Sequence, residues 1–432
     1  MGLRLGCRLF SAALSWMTLL QFLTRGHGPV ADASPAPSLV PRVKPSYSFG
    51  RTFLGLDKCN ACIGTSICKK FFKEEIRFDN WPASHLKPPP DHFPGYSANY
   101  TDDSKSWRLV EISRLIGKDQ NELSDQKICT SVSLVKTCSI ERVLRKTERF
   151  QKWLKARRLT PALVQGLPSL LLRCPTQRLL DRIVRRYAEV PDAGSVYMDH
   201  FTDRDKLRLL YTLSVNAHPV LLQVFPGAEG WPFPKYLGSC GRLLVSTSTT
   251  PLLELSSGPP DRAADLGHQL LGVIEFLRHN DWNYFFYFTR IHAGTFGVFD
   301  NGHLFIRDAS SLGVIDRQEG KRPARSSPEP RDIFSCLAAD CQSDLPSCNT
   351  VQEHQSLVLV CRELLPKLLE GKFPKPVQEE IDALLDRCGD SSLDGQTVIG
   401  GARRLMDILK SLRTCDARFA YRYPDCKYSE KY

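Results

Sequence analysis

Between Arg290 and Ser310 the chain spaces an arginine, a histidine, a threonine and an aspartate in an order that bears on phosphate chemistry. Asp308 is the strongest of the four. A carboxylate is a hard-oxygen ligand for Mg²⁺ or Mn²⁺, and it holds such an ion best when phosphate oxygens complete the coordination. His292 carries an imidazole suited to proton transfer or, once protonated, to pairing a phosphate; an ordinary polar loop residue is the plainer alternative. Arg290 is the opposite kind of group, because its guanidinium stays protonated and cannot accept a proton from a hydroxyl. Thr295 offers a neutral hydroxyl, a weak magnesium ligand. Neither a Gly-x-Ser-x-Gly elbow nor a His-Glu-x-x-His zinc site occurs, so hydrolase chemistry finds no support.

These groups need a frame, and the residues between them supply one. Phe296-Gly297-Val298 and Leu304-Phe305-Ile306 read as short strands, and Asp300-Asn301-Gly302 supplies the positive-φ residues of a two-residue hairpin. An ordinary Asn-Gly hairpin would read the same way. The spacing is also similar to that of a protein-kinase catalytic loop running into a DFG-type metal site. In that register Arg290 replaces the base aspartate, His292 the loop lysine and Thr295 the metal-binding asparagine, while Asp308-Ala309-Ser310 takes the DFG place. Val110-Glu111-Ile112-Ser113 reads as the VAIK-like strand with Ser113 at the lysine position, and no Gly-x-Gly-x-x-Gly precedes it. Glu148 is the candidate for the helix glutamate that such a lysine pairs, although the apolar stripe of its helix turns it away from the buried face. A structural turn, or a salt bridge to Arg307 or Arg290, is the alternative role for Asp308. No catalytic group is assigned with Ser113, Arg290 and Thr295 in these places. The cofactor expectation is limited to ATP with Mg or Mn at Asp308 and Glu148.

The element order fits a two-lobed α+β fold. Trp107–Ile112, Val220–Phe225 and Arg242–Ser246 read as strands, the last two flanking a Gly/Pro turn region at Pro226–Gly241. Helices are expected over Cys138–Arg158, Cys174–Tyr187, Asp203–Ser214, Ala263–Arg278, Ser356–Leu369, Val377–Cys388 and Val398–Leu412. The boundaries follow: 1–33 a secretory signal, 34–50 a Pro-rich linker, 51–250 a Cys-rich segment and N-lobe-like region, 251–432 a helical C-lobe-like region. The signal rests on basic Arg4 and Arg8, the apolar run Leu9–Leu23 and the small-x-small Ala31-Asp32-Ala33. That run is short and interrupted by Ser11, Ser15 and Thr18, so no membrane span is expected; a retained signal-anchor is the alternative.

Cysteine usage agrees with an oxidising compartment. Of fifteen cysteines, Cys7 falls in the leader and fourteen remain. Cys59, Cys62, Cys68, Cys129, Cys138, Cys174 and Cys240 lie in one half; Cys336, Cys341, Cys348, Cys361, Cys388, Cys415 and Cys426 lie in the other. Seven is odd on each side, so complete pairing requires at least one bridge between the halves. Zinc or redox chemistry at Cys59-x-x-Cys62 with Cys68 is the rival, without a completing ligand set. Asn99-Tyr100-Thr101 is a glycosylation sequon in a Pro- and Asp-rich stretch expected to be a loop. The formal charge of +11 falls to about +8 without Arg4, Arg8 and Arg25. Basic clusters on Val143–Arg158, on Arg178–Tyr187 (Arg182, Arg185, Arg186) and in Lys321–Arg331 suit acidic glycans, an anionic membrane surface or an acidic protein, or are plain solvated faces; no motif points to nucleic acid. Arg322-Pro323-Ala324-Arg325 has the form of a basic processing site.

Three long motifs carry a closer resemblance. They are FLGLDKCNACIGTS at Phe53–Ser66, CPTQRLLDRIVRRYAEV at Cys174–Val190 and FPGAEGWPFPKYLGSCGR at Phe225–Arg242. From about Tyr47 onward the chain resembles the divergent protein kinase domain family of secretory-pathway proteins, in its deleted-in-autism branch. The resemblance implies a bilobal protein-kinase-like fold with a disulfide-rich N-terminal extension and a helical C-lobe, and it implies secretion through the ER and Golgi. With the kinase positions degenerate, the expected role is a pseudokinase that binds an extracellular or secretory-pathway protein. An active atypical transferase using ATP and a heparan- or surface-binding module are the alternatives.

Overall fold

The structure, a computed structural model, describes residues 66–78, 95–101, 106–132, 138–187, 195–318, 332–337 and 348–413. All belong to one unit, Tyr47–Tyr432. The signal, the linker, Cys59, Cys62, Cys341, Cys415, Cys426 and the 322–325 cluster lie outside the described residues.

Five antiparallel strands form the first sheet: β1 (Ile76–Phe78), β2 (Gly95–Thr101), β3 (Trp107–Arg114), β4 (Tyr236–Cys240) and β5 (Leu243–Thr247), in the order β1-β2-β3-β5-β4. Val110 and Ile112 of β3 point into an apolar cluster with Phe71, Phe78, Ala98 and Val245. The two-residue side-chain period of a strand therefore puts Glu111 and Ser113 on the opposite face. Helix α1 (Cys68–Phe72) is stapled to β4 by Cys68–Cys240. The sequon residue Asn99 sits inside β2, opposite Arg77 on one side and Leu109 on the other, rather than in the expected loop.

Between β3 and β4 the chain inserts α2 (Lys118–Thr130), α3 (Ile140–Arg145), α4 (Glu148–Lys155), α5 (Pro161–Val164), α6 (Gln177–Arg186), α7 (Asp203–Val215) and α8 (His218–Val224). Two expectations are corrected here. The helix expected over Cys138–Arg158 breaks at Lys146–Thr147, because Thr147 takes an extended conformation and caps α4 by accepting the Phe150 N–H. The strand expected over Val220–Phe225 is helix α8, every residue of it buried, with Pro219 in its first turn. A short apolar run buried on all sides shows neither period, so only context separates helix from strand. The salt bridge Arg242–Asp125 ties α2 to the β4–β5 turn.

The remainder is dominated by α9 (Pro260–Arg278), α10 (Gln355–Glu363), α11 (Leu365–Leu369), α12 (Lys375–Gly389) and α13 (Gly395–Leu412). The expected Ser356–Leu369 helix is interrupted around Leu364, next to Pro366. After β6 (Thr250–Pro251) and α9 come β7 (Tyr284–Phe288), the hairpin β8 (Phe296–Val298) and β9 (Leu304–Ile306), and β10 (Leu312–Asp316), which pairs back on β7. β7 is an unbroken aromatic run, YFFYF, buried at all five positions, so it carries no alternation to announce it. The hairpin turn holds Phe299 N–H on the His303 carbonyl and Gly302 N–H on the Phe299 carbonyl, with only Gly302 at positive φ (78°). That is a three-residue loop ending in a left-handed glycine, not the two-residue turn expected. Asp316 is fully buried and accepts from Thr176 (2.9 Å) and Arg178 (2.8 Å), which anchors α6 to β10.

Four disulfides join described residues: Cys68–Cys240, Cys129–Cys138, Cys174–Cys348 and Cys361–Cys388. Cys174–Cys348 links the two halves, as the parity of the cysteines requires. No described helix is long and apolar enough to cross a membrane.

Candidate functional site

β7 delivers the loop Thr289–Thr295, the β8–β9 hairpin follows, and Asp308 emerges just before β10 returns to β7. Both ends of the segment are thereby clamped. Thr295, fully buried, is the knot: its carbonyl accepts from the N–H groups of Arg307 (2.9 Å) and Asp308 (3.1 Å), and its hydroxyl accepts from His292 N–H (2.9 Å). The hydroxyl weighed as a metal ligand is a brace for the loop.

Asp308 is 3% exposed. Its carboxylate pairs with His292 Nε2 (3.0 Å) and accepts from Ser310 N–H (2.9 Å) and Ser310 Oγ (3.0 Å). Its partner is His292 rather than Arg307 or Arg290. Burial pushes the carboxyl pKa up, but the His292 hydrogen bond, the nearby His218 and the Ser310 amide outweigh it and hold the pKa below the ordinary value. His292 Nδ1 accepts from Gly294 N–H (3.1 Å), so a neutral ring carries its proton on Nε2, towards Asp308. Both ring nitrogens are occupied, and no lone pair remains to take a substrate proton. Arg290 is exposed at the base position and braces the loop through its carbonyl, which accepts from Ser311 Oγ (2.8 Å).

The feature the sequence did not announce is Glu111. It is two residues before Ser113 on the same face of β3, and 6% exposed. Its carboxylate takes both arms of the Arg307 guanidinium, Nε at 2.9 Å and Nη2 closer still, in a fork across the two lobes. Burial raises the Glu111 pKa, helped by the charges of Asp308 and Glu254 and opposed by Arg307. Small residues make room for the bridge. A Cβ at Gly95 would collide with the Glu111 carboxylate, and one at Gly297 would collide with Thr249 and press on the Arg307 chain at 3.3 Å. Ser113 is buried at the lysine position and offers only a hydroxyl. The second residue missed is His218, buried at the start of α8, whose Nδ1 accepts from Ala309 N–H (3.1 Å). Burial holds that imidazole neutral, with its pKa below the ordinary value.

Glu148 does not join this group. It opens α4, is exposed, and pairs with Lys152 one turn on (2.7 Å). The helix that follows β3 is α2, whose residues form no strong apolar stripe. Among the described residues no cluster of three or more His, Cys, Asp or Glu could hold a metal ion, and Asp308 stands alone as a carboxylate ligand. A cavity of about 570 Å³ borders Asp308, walled by Gln120, Ser169, Asn216, Arg290, His292 and Ser310; neither Glu111 nor Arg307 lines it.

The sheet order, the loop between β7 and β8 and the placement of Asp308 are those of a kinase-like domain. Residues 210–391 match the family model described as the protein-kinase domain of FAM69. Divergent protein kinase domain 2B of Homo sapiens is 72% identical over 400 residues, covering 93% of this chain and 92% of the relative. The chain belongs to the divergent protein kinase domain family. The Bos taurus domain 2B protein is 67% identical over 430 residues, covering 99% of each chain. Divergent protein kinase domain 2A of Mus musculus is 32% identical over 376 residues, covering 82% of this chain and 86% of the relative. Membership accounts for the α+β kinase-like fold with its disulfides; it assigns no reaction.

Proposed function

We propose that this protein is a secreted pseudokinase, a divergent kinase-fold chain that works by binding another extracellular or secretory-pathway protein rather than by transferring phosphate. The observation that carries this is the Glu111–Arg307 bridge. A kinase uses the strand-three lysine and the DFG aspartate to fix nucleotide phosphates and their metal. Here the same strand face carries a carboxylate, already matched by a guanidinium from the residue next to Asp308. A phosphate entering beside Glu111 meets like charge, and displacing the bridge would leave two buried ions without partners. Arg290 cannot serve as a base, and His292 and Thr295 are consumed in holding the loop. The leader-like N-terminus and the disulfides support the secretory address.

Surface retention on acidic glycans has less support. Of the arginines considered for it, Arg182 and Arg186 both pair with Glu229. The test of the pseudokinase proposal is a phosphotransfer assay on purified protein with ATP and Mg²⁺ or Mn²⁺. Absence of incorporation is expected; stoichiometric transfer that disappears in Asp308→Ala overturns it.

A further inference from the structure

The cavity beside Asp308 is separate from the slot that the Glu111–Arg307 bridge fills, and its walls have a chemistry of their own. Arg290 contributes a guanidinium that is exposed at the cavity wall and engages no group among the described residues. Arg114, at the end of β3, also lines the cavity but has an interaction of its own, which leaves Arg290 as the donor. Gly117 and Gln120 bring in the N-terminus of α2, a helix of 13 residues. Gly117 has no side chain to cap that end, and only Gln120 Oε1 reaches back to the Gly117 N–H (3.4 Å). The first-turn N–H groups of a helix lack intrahelical acceptors and carry about half a positive charge. Ser169, 4% exposed on the same wall, has a buried hydroxyl without a hydrogen-bond partner. The one carboxylate on the wall, Asp308, is engaged by His292 and Ser310. A forked guanidinium such as that of Arg290 and the N–H groups of a helix N-terminus are groups that recognise tetrahedral oxyanions, here with Asp119 also in the first turn of α2. At about 570 Å³ the cavity has room for an anion together with a small polar body.

We infer that this cavity binds a small phosphate or sulfate monoester, held by Arg290 and the first turn of α2, without a divalent cation. The inference goes beyond the protein-binding role proposed above, and it rests on the reading that this site transfers no phosphate. Asp308 lines the cavity and keeps its charge, which opposes the anion, so the donors of Arg290 and the α2 N-terminus must outweigh it and Asp308→Asn should relieve the repulsion. A phosphorylated and a sulfated ligand share the recognising chemistry, and the choice between them is left to the probes.

The experiment is isothermal titration of the full-length protein with glucose 6-phosphate, glucose 6-sulfate and glucose, each with EDTA and then with Mg²⁺, at constant ionic strength. Expected is saturable binding of at least one ester, none of glucose, and no change with EDTA. Arg290 is exposed, so Arg290→Ala should fold; it should bind at least about tenfold more weakly, and Arg290→Lys should restore part of the loss. Asp308→Asn should bind the ester at least as well as the wild type. Failure of both esters to bind, or binding unaffected by Arg290→Ala, overturns the inference while leaving the pseudokinase proposal standing. Binding that needs Mg²⁺ and is lost in Asp308→Asn overturns both.

Discussion

Replacing Glu111 with leucine while Arg307 remains strands a guanidinium whose side chain is only 13% exposed. Removing one partner of a buried ion pair costs about 3–5 kcal/mol, because the other charge is left desolvated and unmatched. With an unfolding entropy of roughly 2 cal/mol/K per residue over the Tyr47–Tyr432 unit, that is a drop of roughly 4–6 °C in the unfolding midpoint. The partner change, Arg307→Met alone, should cost a similar amount by leaving the 6%-exposed Glu111 unpaired. Burial already raises the Glu111 pKa, so that variant can recover part of its loss by protonating the carboxyl as pH falls. The double variant Glu111→Leu with Arg307→Met removes both charges and fills the space with apolar atoms; it should lie near the wild type or above it. Scanning calorimetry of the four proteins at neutral pH completes the cycle. Losses below about 1 kcal/mol in both single variants would match a solvent-exposed pair and refute the bridge as a buried contact. A double-variant loss equal to the sum of the single losses would refute the coupling.

Three further outcomes follow from the same geometry. His218 is kept neutral by burial, against the pull of Asp308 and with the push of Arg307, so the unfolded chain protonates first as pH falls below about 6.5 and stability declines until the folded pKa is passed; His218→Gln, which keeps an acceptor for Ala309 N–H, should flatten the stability profile between pH 7 and 5, and an unchanged slope counts against it. Gly95→Ala drives a methyl group into the Glu111 carboxylate and should cost about 1–3 kcal/mol by urea unfolding, whereas a neutral result would mean the carboxylate is not packed there. Cys174→Ala with Cys348→Ala should lose about 2–5 kcal/mol, and non-reducing peptide mapping of the wild type should recover the Cys174–Cys348 linkage; recovery of Cys174 joined elsewhere contradicts the topology.

How much of this was legible in the sequence depends on how far apart the cooperating residues lie. The hairpin and Asp308 were readable because strand, turn and aspartate fall within one short stretch and their spacing is their geometry. The long amphipathic helices α9, α12 and α13 were readable for the same reason. The helix α8, the strand β7 and the helix α2 were not: the first two are apolar on every side, and α2 has no marked apolar face. Glu148 lies on α4, whereas the helix that follows β3 is α2, a succession that no local pattern around Glu148 reveals. The Glu111–Arg307 bridge joins residues 196 apart, which no local pattern reveals. Its one local trace was an acidic residue between Val110 and Ile112 in a strand otherwise fit for burial, a position where a charge needs a partner. His218 left no trace beyond being a histidine before a proline; its role depends on α8 folding as a helix that brings it to Ala309.

In the proposed reading the kinase frame persists while the Glu111–Arg307 pair closes its nucleotide site. Titration calorimetry of ATP, with Mg²⁺ and then Mn²⁺, into the wild type and Asp308→Ala tests it most directly. No metal-dependent binding at millimolar ATP in either protein is the predicted result. Metal-dependent binding in the wild type that vanishes in Asp308→Ala would contradict it.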